Sequence, residues 1–372
     1  MPRGLGILRL EFLTTRGTEN LAHQYDFMNA LKDHCDFSWV IQHRRGFNFV
    51  PRGDFLTELG VKEVPYFEEG KHDIAILHLD QQCVEESLWD RGKGSLYKEL
   101  NQTITGVPKI VVMHGTPYYP EKMNDIEMCE KVKNAVGKNW VVCNSHTARL
   151  QWAFGLGGAA LIKKRLAKGK TEEEAINIEP KVREIGVPLK QITTIIHGID
   201  EGMFRDLPKE PRVTTFISAG GLDKYYDRAF FQAVKELLQE KNISHCHISV
   251  DQKFVNFEDY RDFLGGSLVY FNPTKESCMP RARTEAMLSG CCVVTTDNQD
   301  EETFIEHGKN GFLIPRVPQK AADLIEALIL EYKMAKKVGE EGRKTALEKF
   351  TYNRYRKDWL KLLRVVLKDR MV

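Results

Sequence analysis

Apolar residues in this chain fall into short runs separated by longer stretches in which they recur every three or four positions. The runs are Leu5 to Phe12, Phe37 to Ile41, Ile74 to Leu77, Lys109 to Met113, Trp140 to Cys143 and Ile192 to Ile196, with a helical pattern over Leu21 to Asp33. Strand-length runs alternating with helical patterns predict parallel βαβ units with helices on both faces of a sheet. A stretch holding Gly198, Gly202, Pro208 and Pro211 follows, dense in turn formers and charge, and reads as a linker over 199–213. A second alternating series then runs through Thr214 to Ser218, a helix from Asp227 to Lys241, His247 to Val250, Leu268 to Phe271, a helix near Thr284 to Ser289, and Cys292 to Thr295. The prediction is an α/β chain of two doubly wound domains, 1–198 and 214–350, the first carrying a helical insertion at about 153–185. The last segment, 351–372, has an apolar stripe of Leu360, Leu363, Val366 and Leu367 and reads as a helix that can cross back onto the first domain.

Composition adds boundaries to this picture. A chain of 372 residues is too long for one core, since single cores stop growing near roughly 250–300 residues. Its longest apolar stretches are strand-sized, so no bilayer-spanning helix is expected. Met1 to Leu10 lacks a small-residue cleavage site. The expected location is the cytoplasm, with a peripheral position on the inner face of the membrane left open. Eight cysteines without a CxxC pair or a zinc-spaced Cys/His cluster argue against a disulfide framework and a structural metal. With 54 basic and 52 acidic side chains the net charge is +2, which gives no global field toward nucleic acid.

Within the insertion, Thr171 and Glu174 stand at capping-box spacing. Ahead of them, a helix read over Ala159 to Lys170 carries Lys163, Lys164, Arg165, Lys168 and Lys170. Such a charge run is more often a solvated face; the alternative is an acceptor or anionic membrane contact.

Open parallel sheets bind ligands at the carboxyl ends of their strands, which directs attention to three loops. The first runs from Phe271 through Glu276, Ser277, Met279, Pro280 and Arg281 into the helix carrying Glu285. A helix N-terminus there suits a phosphate, and the two carboxylates suit sugar and ribose hydroxyls. The second is Ser218 to Lys224, where Gly220 and Gly221 permit close approach to a phosphate and Lys224, with Arg228 as alternate, supplies a cation. The third is His114-Gly115-Thr116-Pro117, after the strand ending at Met113. A buried structural role is the commoner fate of one such histidine.

The run from Asn272 to Pro315 contains Pro273, Glu276, Glu285-Ala286-Met287, Gly290, Val293-Val294, Glu302 or Glu306, and Gly308 to Phe312. In this order the residues resemble the donor-binding segment of family 4 retaining glycosyltransferases. Weaker similarity extends through Val112 to Gly115, Ile185-Gly186-Val187 and Ile195 to Asp200. The resemblance implies the GT-B fold, two Rossmann-like domains facing across a cleft, with the nucleotide sugar on the C-terminal one. It implies catalytic roles for His114, Glu276 and Lys224, and donor contacts by Gly220, Gly221, Lys224, Arg228, Glu276, Ser277, Met279, Pro280, Arg281 and Glu285. Arg16 and Gly17, in the place of the family's N-terminal glycine loop, become acceptor-side candidates.

Two departures shape the expectation. The family has seven residues between its glutamates, whereas Glu276 and Glu285 enclose eight, and strict spacing lands on Ser277. Gly221 also stands where the family carries an arginine. No Asp-x-Asp motif occurs, so the expected reaction is a metal-independent, retaining transfer from a UDP or GDP sugar, with no cofactor. The acceptor, whether glycan, lipid-linked or small molecule, is not encoded in these motifs. The alternatives are a nucleotide-sugar 2-epimerase of the same fold and a non-catalytic nucleotide-sugar binder.

Overall fold

The computed structural model describes residues 5–8, 18–40, 59–64, 70–79, 104–118, 123–177, 183–217, 226–248, 251, 254, 257–277, 279–296 and 304–368. They divide into two compact units: one up to His197 together with the segment from Tyr355 onward, the other from Gly198 to Arg354.

The first unit is built on β1 (Leu5–Leu8), β2 (Phe37–Val40), β3 (Lys62–Val64), β4 (Ile74–Leu79), β5 (Lys109–Met113), β6 (Trp140–Cys143) and β7 (Ile192–Thr194), in the order β3-β2-β1-β4-β5-β6-β7. All pairings are parallel. The crossovers include α1 (Thr18–Leu31), α2 (Asp125–Val136), α3 (His146–Leu166) and α4 (Glu172–Ile176). Ile74 to Leu77, Ile110, Val111, Val141 and Val142 are buried on both faces, as a helix-covered parallel sheet requires.

The insertion differs from the helix read over Ala159 to Lys170. Its first helix, α3, already starts at His146, where Ser145 caps it by accepting from Ala148 N at 3.1 Å, and ends at Leu166, short of Lys168 and Lys170. The helix is broken at Gly155, with φ 72° and ψ 176°. Asp125 Oδ2 bridges the break by accepting from Leu156 N at 2.6 Å. The carbonyls of Ala153 and Trp152 accept instead from the amides of Ile185, Gly186 and Val187, each at 3.0 Å. The capping box at Thr171 and Glu174 is formed as read. Glu172, Glu173 and Glu174 fill the first turn of α4, and Lys170 pairs with Glu174 at 3.8 Å while Arg165 Nη2 donates to the Glu174 carbonyl at 2.8 Å.

The second unit holds β8 (Glu210–Phe216), β9 (His245–Ile248), β10 (Ser267–Asn272), β11 (Cys292–Thr296) and β12 (Phe312–Ile314), ordered β12-β11-β10-β8-β9 and again parallel. Its helices are α5 (Arg228–Glu240), α6 (Phe257–Gly265), α7 (Arg281–Leu288), α8 (Pro318–Leu330) and α9 (Tyr332–Lys349). Every residue of β10 and β11 is buried. The polar ones among them are paired: Thr214 Oγ1 lies 2.6 Å from Ser267 Oγ, and Asn272 Nδ2 donates to Thr295 Oγ1 at 2.8 Å. The linker read over 199–213 is too long, because β8 begins at Glu210. Pro211 misled: a proline is tolerated near a strand's start, where one missing N–H costs little.

The helix α10 (Tyr352–Lys368) follows, and from Tyr355 it belongs to the first unit. Among the described residues no helix is long and apolar enough to cross a membrane.

Candidate functional site

At the carboxyl end of β10 the chain enters a loop whose backbone is tied down on several sides. Thr274 Oγ1 donates to Asn272 Oδ1 at 2.7 Å, Arg316 Nη2 donates to the Lys275 carbonyl at 2.9 Å, and the Thr296 hydroxyl donates to the Thr274 carbonyl. Tyr226 forms an antiparallel bridge with Thr274, and Asp227, the N-cap of α5, places its own amide 3.5 Å from the Pro273 carbonyl. The structure thus brings the start of α5, with the exposed Arg228 as its first residue, beside the loop carrying Glu276 and Ser277, both half-buried.

The loop feeds α7 through Met279 and Pro280, both buried. Proline is the N-cap residue, no side chain caps the helix, and the first turn contains no acid. It contains Arg281 and Arg283 instead. Cations at the positive end of a helix dipole oppose the usual preference. Arg283 is fully buried, with Nη2 2.7 Å from Met279 Sδ. Sequence reading passed over Arg283; the available signal was a second arginine in the first turn of a short helix.

Glu285 does not open the helix, as its sequence position suggested, but is its fifth residue, because Pro280 starts the helix a turn earlier than Thr284. Its side chain is only 5% exposed. Arg281 Nε donates to Oε1 at 2.7 Å, an i,i+4 pair along α7, and Tyr260 Oη of α6 donates to Oε2 at 2.6 Å. Burial and then the Glu285 charge push the Tyr260 phenol well above its ordinary value, so it remains a donor.

In the first unit, His114 follows β5 and is half-buried, and loss of solvation lowers its imidazole to about 4. It is neutral at pH 7. Its ring lies 5.5 Å from that of His23 on α1, which lies 5.5 Å from the buried His197 after β7. The next residue of this loop is held by the buried Trp152, whose indole N–H donates to the Gly115 carbonyl at 2.8 Å. Neither His23 nor His197 was singled out from sequence. Arg16, Gly17, Gly220, Gly221 and Lys224 lie outside the described residues. Among the described residues no group of three or more His, Cys, Asp or Glu side chains is gathered to hold a metal ion.

The sequence model of the family described as Glycosyl transferases group 1 matches residues 204–345. The match lies wholly within the second unit. It spans the β10–α7 loop and Glu285 and includes the whole run from Asn272 to Pro315 that carries the resemblance. Solved structures extend the likeness to the whole chain. Anabaena HepE in complex with UDP and glucose has a TM-score of 0.63 at 14% identity over 98% of this chain and 100% of its own. Sucrose-phosphate synthase from Thermosynechococcus elongatus has a TM-score of 0.61 at 12% identity, covering 99% of this chain and 100% of its own. A glycosyltransferase from Rickettsia africae has a TM-score of 0.58 at 14% identity, with 98% of both chains covered. No curated protein matches the chain. The fold is that of the GT-B glycosyltransferases.

Proposed function

We propose that this chain transfers a sugar from a nucleotide-sugar donor, a UDP or GDP sugar, to an acceptor hydroxyl, with retention of anomeric configuration and without a metal ion. The reading draws on the group 1 domain over 204–345 and on the structural likeness to HepE, which was solved with UDP-glucose. The observation that carries it is the start of α7: an uncapped helix end bearing Arg281 and Arg283, with the Glu285 carboxylate one turn further on. A diphosphate suits the first and ribose hydroxyls the second.

In this reading Glu285 holds the ribose, Glu276 or Ser277 holds the transferred sugar, and Met279 and Pro280 shape the loop around the diphosphate. Gly220 and Gly221 allow close backbone approach, and Lys224 and Arg228 add positive charge. Arg16 and Gly17 serve the acceptor, and the neutral His114 is a hydrogen-bonding group for substrate. The acceptor oxygen bonds to the anomeric carbon as the bond to the diphosphate oxygen breaks, and the acceptor's proton passes to the departing diphosphate. Positive charge at the helix end stabilises that leaving group. For the basic run at 159–170 the solvated face is the reading favoured, since the acids of α4 offset it.

The test is calorimetric titration of the full chain with UDP, GDP and ADP in excess EDTA. UDP or GDP binds more tightly than ADP, and Glu285→Gln weakens it by about one to two orders of magnitude, the worth of a charge-assisted hydrogen bond. Binding of none, or binding only after Mg²⁺ or Mn²⁺ is restored, overturns the reading. NMR of the product's anomeric proton tests retention.

A further inference from the structure

The geometry points to Tyr260 as a positioning residue that aims the Glu285 carboxylate at the ribose of the bound nucleotide, an inference that rests on the function proposed above. A carboxylate has two oxygens and about four lone-pair directions. Arg281 Nε takes one on Oε1 and Tyr260 Oη takes one on Oε2, at 2.7 and 2.6 Å. Each oxygen keeps a second lone pair, and with both edges clamped the carboxylate plane cannot rotate. The Arg281 arm belongs to the same helix, so it fixes the side chain only relative to α7. The Tyr260 arm comes from α6 and fixes it relative to the rest of the unit.

Tyr260 is itself rigidly seated. It is 8% exposed, and its ring lies 5.5 Å from that of Phe216 at the end of β8, 6.0 Å from Phe254 and 5.7 Å from Phe257. An aromatic anchor of this kind holds its hydroxyl without losing rotamer entropy on ligand binding, which is what preorganisation requires.

The experiment takes the diphosphate that binds best in the titration above, written here as UDP, and compares it with its 2′,3′-dideoxy form by calorimetry on the full chain. Wild type prefers UDP by about tenfold or more, the value of hydrogen bonds to ribose hydroxyls, and Glu285→Gln abolishes that preference. Tyr260→Phe, which keeps the ring packing, lowers UDP affinity several-fold and leaves the dideoxy affinity unchanged, so the ratio collapses toward one. A purely structural tyrosine weakens both ligands equally or neither; an unchanged ratio overturns the inference while leaving the proposed function standing. A wild type that binds UDP no better than the dideoxy compound overturns the inference together with the ribose role of Glu285. Should Tyr260→Phe prove unfolded by circular dichroism, Tyr260→His, with a ring N–H as donor, takes its place; a ratio between wild type and Glu285→Gln supports the role, and a wild-type ratio for a variant whose ring N–H is shown by NMR to be unbonded refutes it.

Discussion

A carboxylate 5% exposed cannot remain charged without donors, and Glu285 has two within 2.7 Å. Glu276, half-buried in the loop before α7, sits in a wetter setting. The two environments suit different tasks. A group that binds the nucleotide equally in ground and transition states governs apparent affinity, whereas one whose bonds to the sugar strengthen as charge develops governs turnover. Glu285→Gln is therefore expected to raise donor KM, and Glu276→Gln to lower kcat, each by about one to two orders of magnitude. Steady-state kinetics on folded variants separates the cases. A silent Glu276→Gln beside a crippled Ser277→Ala moves the sugar contact to Ser277. The identity of Glu285 as a candidate was legible in Glu285-Ala286-Met287 and the residues around it. Tyr260 was not, because its bond to Glu285 spans 25 positions of sequence and exists only through the packing of α6 on α7.

Elements whose limits are set by neighbouring residues were read well: the capping box at Thr171 and the strands Lys109–Met113 and Trp140–Cys143 lie where pattern put them. The first turn of α7 and the whole first half of α3 were missed. In α3 the reason is tertiary, since its break is stabilised by Asp125 from α2 and by the amides of residues 185–187, which no local window contains. Two glycines make this break possible. Gly155 has a backbone conformation essentially reserved for glycine, and a Cβ there would lie 2.8 Å from Asp125 Oδ2. A Cβ on Gly186 would fall 1.9 Å from the Trp152 carbonyl oxygen, a backbone atom that cannot swing aside. Gly155→Ala is expected to cost about 1–3 kcal/mol and Gly186→Ala at least as much. Chemical denaturation measures both. Because Trp152 also holds the Gly115 carbonyl, Gly186→Ala should disturb the His114 loop, visible as shifts of the His114 imidazole signals in NMR; an Ala variant of full stability with unmoved signals contradicts this account.

The division into two doubly wound units was legible because a strand–helix rhythm survives any detail of packing, and the interruption after Ile196 marks where one sheet is complete. The short strands Lys62–Val64 and Phe312–Ile314 escaped notice, being too brief to carry a periodic signal. The chain leaves the first unit at His197 and returns to it at Tyr355, so the last helix completes a unit begun more than 300 residues earlier. Its apolar face is the reason, though not quite the stripe read from sequence, since Leu360 and Leu367 are only half-buried. Tyr355, Trp359, Leu362, Leu363 and Val366 are buried, and the Trp359 ring meets Phe27 of α1 edge-on with centroids 4.6 Å apart. Burying each such side chain is worth about 1.5–3 kcal/mol, and their sum is comparable with the roughly 5–15 kcal/mol that holds a whole domain folded. A chain ending at Arg354 lacks all five and leaves Phe27 exposed. It is expected to lose the cooperative structure of the first unit while the second, whose sheet and core contain none of these residues, keeps its own. Hydrogen exchange read by mass spectrometry distinguishes the units directly: protection should vanish from α1, β4 and β5 and persist in β10, β11 and α7. Full protection throughout the first unit of the shortened chain would show that the returning helix is dispensable to it.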